Sequence, residues 1–445
     1  MIEITETKYG TYQSVRSNAG YALFRGIPYA KAPVGERRFK APEDPEPFEG
    51  IRVCDTYGPA CMQYDRWAVA SDDVNEGQPY IHIENYPYPP KMSEDCLYLN
   101  IYTPAETKED RLPVLFYIHG GGCQQWYGSD YEYCGDGFCG KNCIVVTITY
   151  RLNVFGFFVH PELAKESPYG SSGNYGLLDQ IQALKWVYEN IEAFGGDPKN
   201  ITVFGQSSGG RSTLSLLCSP LTKGMIKHVS IQSAGGLGRF MAERNRTEME
   251  KMGEEFMMSL GCASIAEMRN LSAEELRDAN DRLGFMRGFN IYTDGYVLPH
   301  NIDDCIRQDL IPDDVDIIIG CTADEGANDK VPFMGMNMYS QIRDLCETYI
   351  ANKNRNIYMY VFDQQQVGDD SGVPHSSDNR YQFKTLDGCW RPYTEEDYQL
   401  SEQMNSYWAN YAKTGDPNGE GLVRWQPFNE KGQAIWFNGK EIRMK

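Results

Sequence analysis

"NITVFGQSSGGRS", residues 200–212, places two adjacent serines inside a run of glycines. The β-branched and aromatic residues of "NITVF" read as a buried strand, and "GGRSTLSLLCS" reads as the helix that follows it. The segment Gly-x-Ser-x-Gly therefore falls on a strand–turn–helix junction, the setting of a nucleophile elbow. Such a turn is strained and needs tiny neighbours two residues to either side of its serine. Gly205 and Gly209 supply them for Ser207, whereas Ser208 would need glycine at the position held by Gln206. Ser207 is the candidate nucleophile. The helix beyond it aims its N-terminal N–H groups at any negative charge that develops nearby.

The same rhythm extends along the chain. "LPVLFYIHG" (112–120), "CIVVTITY" (143–150), "HVSIQS" (228–233), "DIIIG" (316–320) and "IYMYVF" (357–362) are short runs of strand character, several apolar on both faces. That pattern fits a parallel sheet covered by helices on each side. Leu177, Ile181, Leu184, Tyr188 and Ile191 form one face of an amphipathic helix that Gly195 and Gly196 stop. Leu400, Met404, Tyr407, Trp408 and Tyr411 form another, after an N-cap at Thr394. The fold class is α/β: a mostly parallel twisted sheet flanked by helices, with right-handed crossovers. No repeat or linker interrupts it, so residues 1–445 are expected to be one domain. Residues 60–92 break the rhythm with acids, prolines and aromatics, and are expected to form a lid or pocket wall.

A second motif lies in "YIHGGGCQQW", where a strand ends and His119 precedes three glycines. Consecutive glycines expose backbone N–H groups without side-chain obstruction, as an oxyanion hole requires. With the elbow downstream, the expected donors are the N–H groups of Gly121, Gly122 and Ser208. A base is also needed, and the chain holds six histidines. In the order serine, acid, histidine that accompanies this kind of elbow, only His375 completes the set. His119 belongs to the glycine loop, His82 to the irregular stretch, and His160, His228 and His300 precede the acid candidates. "DIIIGCTADEGAND" offers both Asp324 and Glu325 at the end of a strand.

Composition narrows the partners. Acidic residues outnumber basic ones by 62 to 42, a formal charge of -20, which argues against nucleic acid and anionic lipid. It fits a soluble protein acting on neutral or cationic small molecules. "MIEITETKYGTYQSV" has neither a basic nor an apolar signal region, and no long apolar run suits a membrane span. A cytoplasmic location is expected, with the thirteen cysteines mostly reduced. The densest group, Cys134, Cys139 and Cys143, lacks a metal-ligand spacing, so no metal is expected.

Taken together these residues resemble the type B carboxylesterases, the cholinesterase-like family of the α/β-hydrolase fold, in its bacterial p-nitrobenzyl-esterase-like branch. The motifs "FRGIPYAKAPVGERRFKAP", "MSEDCLYLNIYTP", "HGGG", "VTITYRLNVFGFF", "IQSAGG", "YTDGYVLP", "ADEG" and "YWANYAKTGDPNG" follow in the family's order. The resemblance implies Ser207 as nucleophile, Glu325 as acid and His375 as base. It also implies ion pairs of Arg38 with Glu94 and Arg151 with Asp179, and a disulfide between Cys61 and Cys96 in secreted members, expected reduced here. Two departures stand out. Gln206 and Ser208 replace the family's Glu and Ala in the elbow, and the stretch from Glu325 to His375 is short, so a more open pocket is expected on that side.

The expected activity is two-step hydrolysis of small carboxylic esters without metal or organic cofactor, by a monomer or weak homo-oligomer. A feruloyl-type or other plant-ester specialist is the alternative. It would use Tyr64, Trp67, Tyr80, Tyr86 and Tyr88 as a pocket, with Trp126, Tyr127 and Gln206 beside the glycine loop. A non-catalytic binding homologue is the reading from another class, and an intact Ser–Glu–His set speaks against it.

Overall fold

The computed structural model describes the whole chain except residues 65–89, 239–243, 286, 329, 331–334, 353–355 and 430. Most of the irregular stretch 60–92, with His82, Trp67, Tyr80, Tyr86 and Tyr88, lies outside the described residues.

Eleven strands form one sheet. In chain order they are β1 (Val15–Arg16), β2 (Ala22–Pro28), β3 (Tyr98–Thr103), β4 (Leu112–Ile118), β5 (Ile144–Ile148) and β6 (Gly196–Gln206). They continue as β7 (His228–Gln232), β8 (Asp316–Thr322), β9 (Ile357–Phe362), β10 (Ile435–Phe437) and β11 (Arg443–Met444). The spatial order is β1-β2-β3-β5-β4-β6-β7-β8-β9-β10-β11. All neighbours from β5 to β10 pair in parallel. The edges are antiparallel: β1 with β2, β2 with β3, β3 with β5, and β10 with β11. The six strands read from the sequence are six of the seven parallel ones; β10 was not read as a strand.

The long helices are α1 (Tyr175–Asn190), α2 (Ser208–Cys218), α3 (Arg246–Ser259), α4 (Ala273–Leu283), α5 (Met338–Asn352) and α6 (Glu395–Thr414). Because side chains alternate along a strand, each central strand serves two cores. Val114, Phe116 and Ile118 of β4 face one side, with Leu177, Leu184 and Val187 of α1 and Leu214 and Leu217 of α2. Leu115 and Tyr117 face the other, with Leu400, Met404, Tyr407 and Trp408 of α6. Burying each such side chain stabilises the fold by about 1.5–3 kcal/mol. The α6 start is fixed by the Asp397 carboxylate, which accepts from the Thr394 N–H (2.9 Å) and hydroxyl (2.8 Å).

Two buried two-point ion pairs tie distant segments together. Arg151 donates from Nε and Nη2 to the Asp179 carboxylate of α1 at 2.8 and 2.7 Å, with both side chains buried. Arg38 forms a second two-point pair with Glu94. Deleting one partner of the Arg151 pair would strand a buried charge, at a cost of about 3–5 kcal/mol. Cys61 and Cys96 stand as buried free thiols in contact, and burial followed by the neighbouring Cys61 thiol raises the Cys96 pKa. Cys134, Cys139 and Cys143 are buried in the core beside α6. Among the described residues no cluster of His, Cys, Asp and Glu is arranged to hold a metal ion, and no helix is long and apolar enough to cross a membrane.

Candidate active site

The β6 strand ends at Gln206 and α2 begins at Ser208, which leaves Ser207 alone at the corner. Its backbone adopts φ 57° and ψ -126°, a strained conformation for a residue with a side chain. The corner is held on both sides: the Ser207 N–H donates to Gln232 O of β7 (2.8 Å), and Ser207 O accepts from the Arg211 N–H (3.0 Å). The flanking glycines are required by close packing of backbone on backbone. A Cβ at Gly209 would lie 2.0 Å from Ile118 O, and one at Gly205 would lie 2.6 Å from the Gly209 carbonyl.

The glycine loop leaves β4 beside this corner, where a Cβ on Gly120 would come within 3.1 Å of the Ser207 Cβ. Gly121 (φ 94°) and Gly122 (φ 67°) take left-handed conformations that aim the loop without side-chain cost. Among the described residues, the N–H groups of Gly121, Gly122 and Ser208 donate to no protein acceptor. The Ser208 hydroxyl accepts from the Cys123 N–H (3.0 Å), which ties the loop to the start of α2. His119 is part of this scaffold. Its ring stacks on Tyr150 with centroids 4.4 Å apart, and burial holds its pKa down to about 4, against a smaller opposing effect of the Gly120 carbonyl. It stays neutral at working pH.

Two carboxylates follow β8, and the structure separates them. Glu325 is fully buried in a short 3-10 turn, Ala323–Glu325. Its Oε2 accepts from the Ser233 hydroxyl (2.7 Å) and the Thr322 N–H (2.8 Å), while Oε1 faces His375 Nδ1 in hydrogen-bond contact. Burial alone would raise its pKa, but His375, Ser233 and the Thr322 N–H outweigh burial and hold it low. Asp324 turns away: its Oδ2 accepts from Lys330 Nζ (2.8 Å) and from the Val373 N–H (2.9 Å), and its Oδ1 from Asn328.

His375 lies in the loop after β9. Its Nε2 is 3.1 Å from the amide nitrogen of Gln206, the residue that precedes Ser207. An amide N–H only donates, so Nε2 accepts, and the ring proton sits on Nδ1 toward Glu325. The other described histidines serve elsewhere: burial lowers His228 to about 4, and His160 caps a short helix by accepting from the Glu162 N–H. Trp126 and Tyr127 stack on each other, and the Trp126 backbone is clamped by both ends of the Gln63 amide. Two contributors were not anticipated from the sequence. Ser233 follows β7 in "IQSAGG", where a hydroxyl at a strand end beside the acid was the available signal. The contact of Asp324 with Val373 has no local sequence signature.

A serine on a strained strand-to-helix corner, a glycine loop from the adjacent strand, and a buried acid with a histidine after the next strands define a serine ester hydrolase of the α/β-hydrolase fold. The chain belongs to the Carboxylesterase family, whose pattern matches residues 7–342 and 333–444. It is 32% identical over 496 residues to the para-nitrobenzyl esterase of Bacillus subtilis, covering 100% of this chain and 96% of that protein. A solved structure of PNB esterase superposes with a TM-score of 0.86 at 29% identity, over 100% of this chain and 97% of the other. A carboxylesterase of Geobacillus stearothermophilus gives 0.84 at 29% identity, with 100% and 97% covered. The protein is a carboxylic ester hydrolase, and these relatives do not favour the plant-ester specialist.

Proposed function

We propose that Ser207, Glu325 and His375 carry out the hydrolysis, with Gly121, Gly122 and Ser208 as the oxyanion donors. The observation that supports this most directly is the position of His375, between the Glu325 carboxylate and the Gln206 amide next to Ser207. In the first step His375 Nε2 takes the Ser207 hydroxyl proton as Oγ attacks the ester carbonyl. Glu325 orients the ring and stabilises its cation. The negative oxygen that forms is met by the three N–H groups, each worth about 2.7–4 kcal/mol, or roughly 10²–10³ in rate. The alcohol leaves with the proton from His375. Water, deprotonated by the same nitrogen, then attacks the acyl-enzyme and releases the acid and the free serine.

Gln206 occupies the base nitrogen in the resting enzyme and must yield it as Ser207 engages. The excess of acidic residues favours neutral or cationic small esters over nucleic acid or anionic lipid. Residues 1–445 act as one cytoplasmic unit, monomeric or weakly self-associating, with no metal or organic cofactor in the reaction. The stretch between Glu325 and His375 is short, and a more open pocket is proposed on that side. Initial rates on p-nitrophenyl esters from acetate to octanoate and on methyl ferulate, with Ser207→Ala as control, test the proposal. Activity on short chains that vanishes in the variant is expected. Undiminished turnover by Ser207→Ala would overturn the assignment of the nucleophile.

A further inference from the structure

The strand Ile4–Thr7 has an unused outer edge. It pairs with Gly10–Gln13 on one side only and so ends a three-stranded sheet. Backbone groups along a strand point alternately to its two edges. The Ser14 N–H donates to Glu3 O (2.9 Å), so Glu3, Thr5 and Thr7 turn their groups inward to the neighbouring strand. Gln13, opposite Ile4, follows the same alternation: its carbonyl accepts from the Cys54 N–H on its far side (2.8 Å). The N–H and C=O groups of Ile4 and Glu6 therefore face outward, and among the described residues they meet no protein partner. Two residues earlier on that edge, the Ile2 N–H donates to Ala105 O (3.2 Å), so the edge takes main-chain bonds where another segment reaches it.

This edge is one wall of an open groove of about 740 Å³, within the size range of ligand sites. The end of α1, the 3-10 turn Ile191–Phe194 and Lys108 make the other wall. The turn leads into the start of β6, whose far end precedes Ser207. A free edge inside a groove admits a narrow extended segment, which adds as a further strand through main-chain bonds. Side chains decide which segment. Ile4 and Glu6, two residues apart, share one face of the sheet, and Ile4 is half-exposed. Lys8 is taken by Glu189 (2.6 Å) and Glu192 by Arg111 (2.7 Å), whereas Glu6 has no ion pair among the described residues. Lys108 is the one opposing charge in the groove, and the formal charge of -20 on the whole chain tips the field toward a basic partner. A β-branched residue beside Ile4 and a basic one beside Glu6 complement the edge.

We propose that the Ile4–Thr7 edge docks an extended basic segment of a partner protein, which adds a strand to the small sheet with an apolar residue against Ile4 and a Lys or Arg against Glu6. This binding is separate from the ester chemistry and does not depend on it. The outward N–H and C=O groups of Ile4 and Glu6 supply the affinity, and the alternate side chains select the segment.

The probe is the capped, fluorophore-labelled peptide Lys-Thr-Val-Thr-Lys: with Val beside Ile4, a Lys falls beside Glu6 whichever way the peptide runs. Fluorescence anisotropy on the full chain should show it binding about fivefold tighter than Glu-Thr-Val-Thr-Glu. Two N-methylated forms, one blocked at the odd residues and one at the even, should differ by about tenfold, because only one set of N–H groups faces the edge. Glu6→Lys should reverse the preference for the basic peptide. Glu6→Pro removes an outward N–H at an edge position that tolerates proline, and should weaken binding about tenfold with circular dichroism unchanged. Equal binding of the two methylated forms, or a charge preference that survives Glu6→Lys, would overturn strand addition. Failure of the wild type to bind the basic peptide would overturn the partner segment, and if sedimentation then shows self-association that Glu6→Pro abolishes, the occupant is a second copy of the chain.

Discussion

Glu325 and His375 touch each other, yet they are held in different ways. Glu325 is held from its own turn and from the neighbouring strand: the Thr322 N–H three residues earlier and the Ser233 hydroxyl at the end of β7 both donate to Oε2. The side chain is fully buried and its pKa is lowered, so the carboxylate is built into the end of the sheet. His375 lies in a loop, followed by Ser376 at φ 73°. Two residues before it, the Val373 N–H donates to Asp324, on the very turn that carries the acid. His375, the proposed base, therefore borrows its position from the turn that carries Glu325, the proposed acid. Glu325 draws on its own turn as well as on neighbouring strands, whereas the hold on the His375 loop is wholly tertiary.

The largest effects should separate the chemical roles proposed for them. His375→Ala removes the proton carrier and should lower kcat on a p-nitrophenyl ester by about 10⁶. Glu325→Gln keeps the shape and loses the charge, and about 10⁴ is expected. Steady-state kinetics with a circular dichroism check on folding would measure both. Equal losses would mean that the acid does more than orient and stabilise the ring.

Next comes the anchor between the two. Asp324→Ala frees the loop that carries His375 without touching the hydrogen bonds of Glu325, and a displacement of about 1 Å at a reacting group costs about 10² in rate. A kcat loss of that order with little change in KM is expected. A variant that behaves as wild type would break the asymmetry between acid and base. The anchor also has a pH signature. Burial raises the Asp324 pKa, but Lys330, the Val373 N–H and Asn328 outweigh it, so the group lies below its ordinary value of 3.8. A depressed carboxylate contributes fully above its unfolded pKa, and its contribution is lost as pH falls through the folded one. The loop should thus stay anchored through mildly acidic solution and loosen only in strong acid. In Asp324→Asn that acid step should be absent from a profile of folding stability against pH followed by circular dichroism.

The same asymmetry decides what the sequence reveals. The parallel centre was legible because strands buried on both faces carry unbroken apolar runs such as "CIVVTITY". β2 and β3, the antiparallel neighbours, were not singled out. β2 runs through Arg25 and Gly26 with a register shift between Phe24 and Ile27, which obscures its period. Ser207 was legible from two glycines whose reason is local backbone contact, and the glycine loop from its own composition. Between Asp324 and Glu325 the residues alone left the choice open, since both end the same strand and only tertiary contacts tell them apart.

The smallest effect is expected where the Glu325 carboxylate loses its support from the end of β7. Ser233→Ala removes a hydroxyl donor from the Glu325 carboxylate, and a hydrogen bond to a charged group is worth about 1.5–3 kcal/mol. The Thr322 N–H and His375 remain, so the carboxylate is still held from two sides, and the loss in kcat/KM should be about tenfold at most. The variant should also shift the profile. Losing a donor to the charged form raises the carboxyl pKa, so the stability that Glu325 contributes should begin to fall at higher pH than in the wild type. Measuring kcat/KM at neutral pH and folding stability from neutral to acid pH in both proteins reads the two quantities. A loss well beyond about a hundredfold would show that Glu325 depends on its contact from β7 as strongly as the His375 loop depends on Asp324.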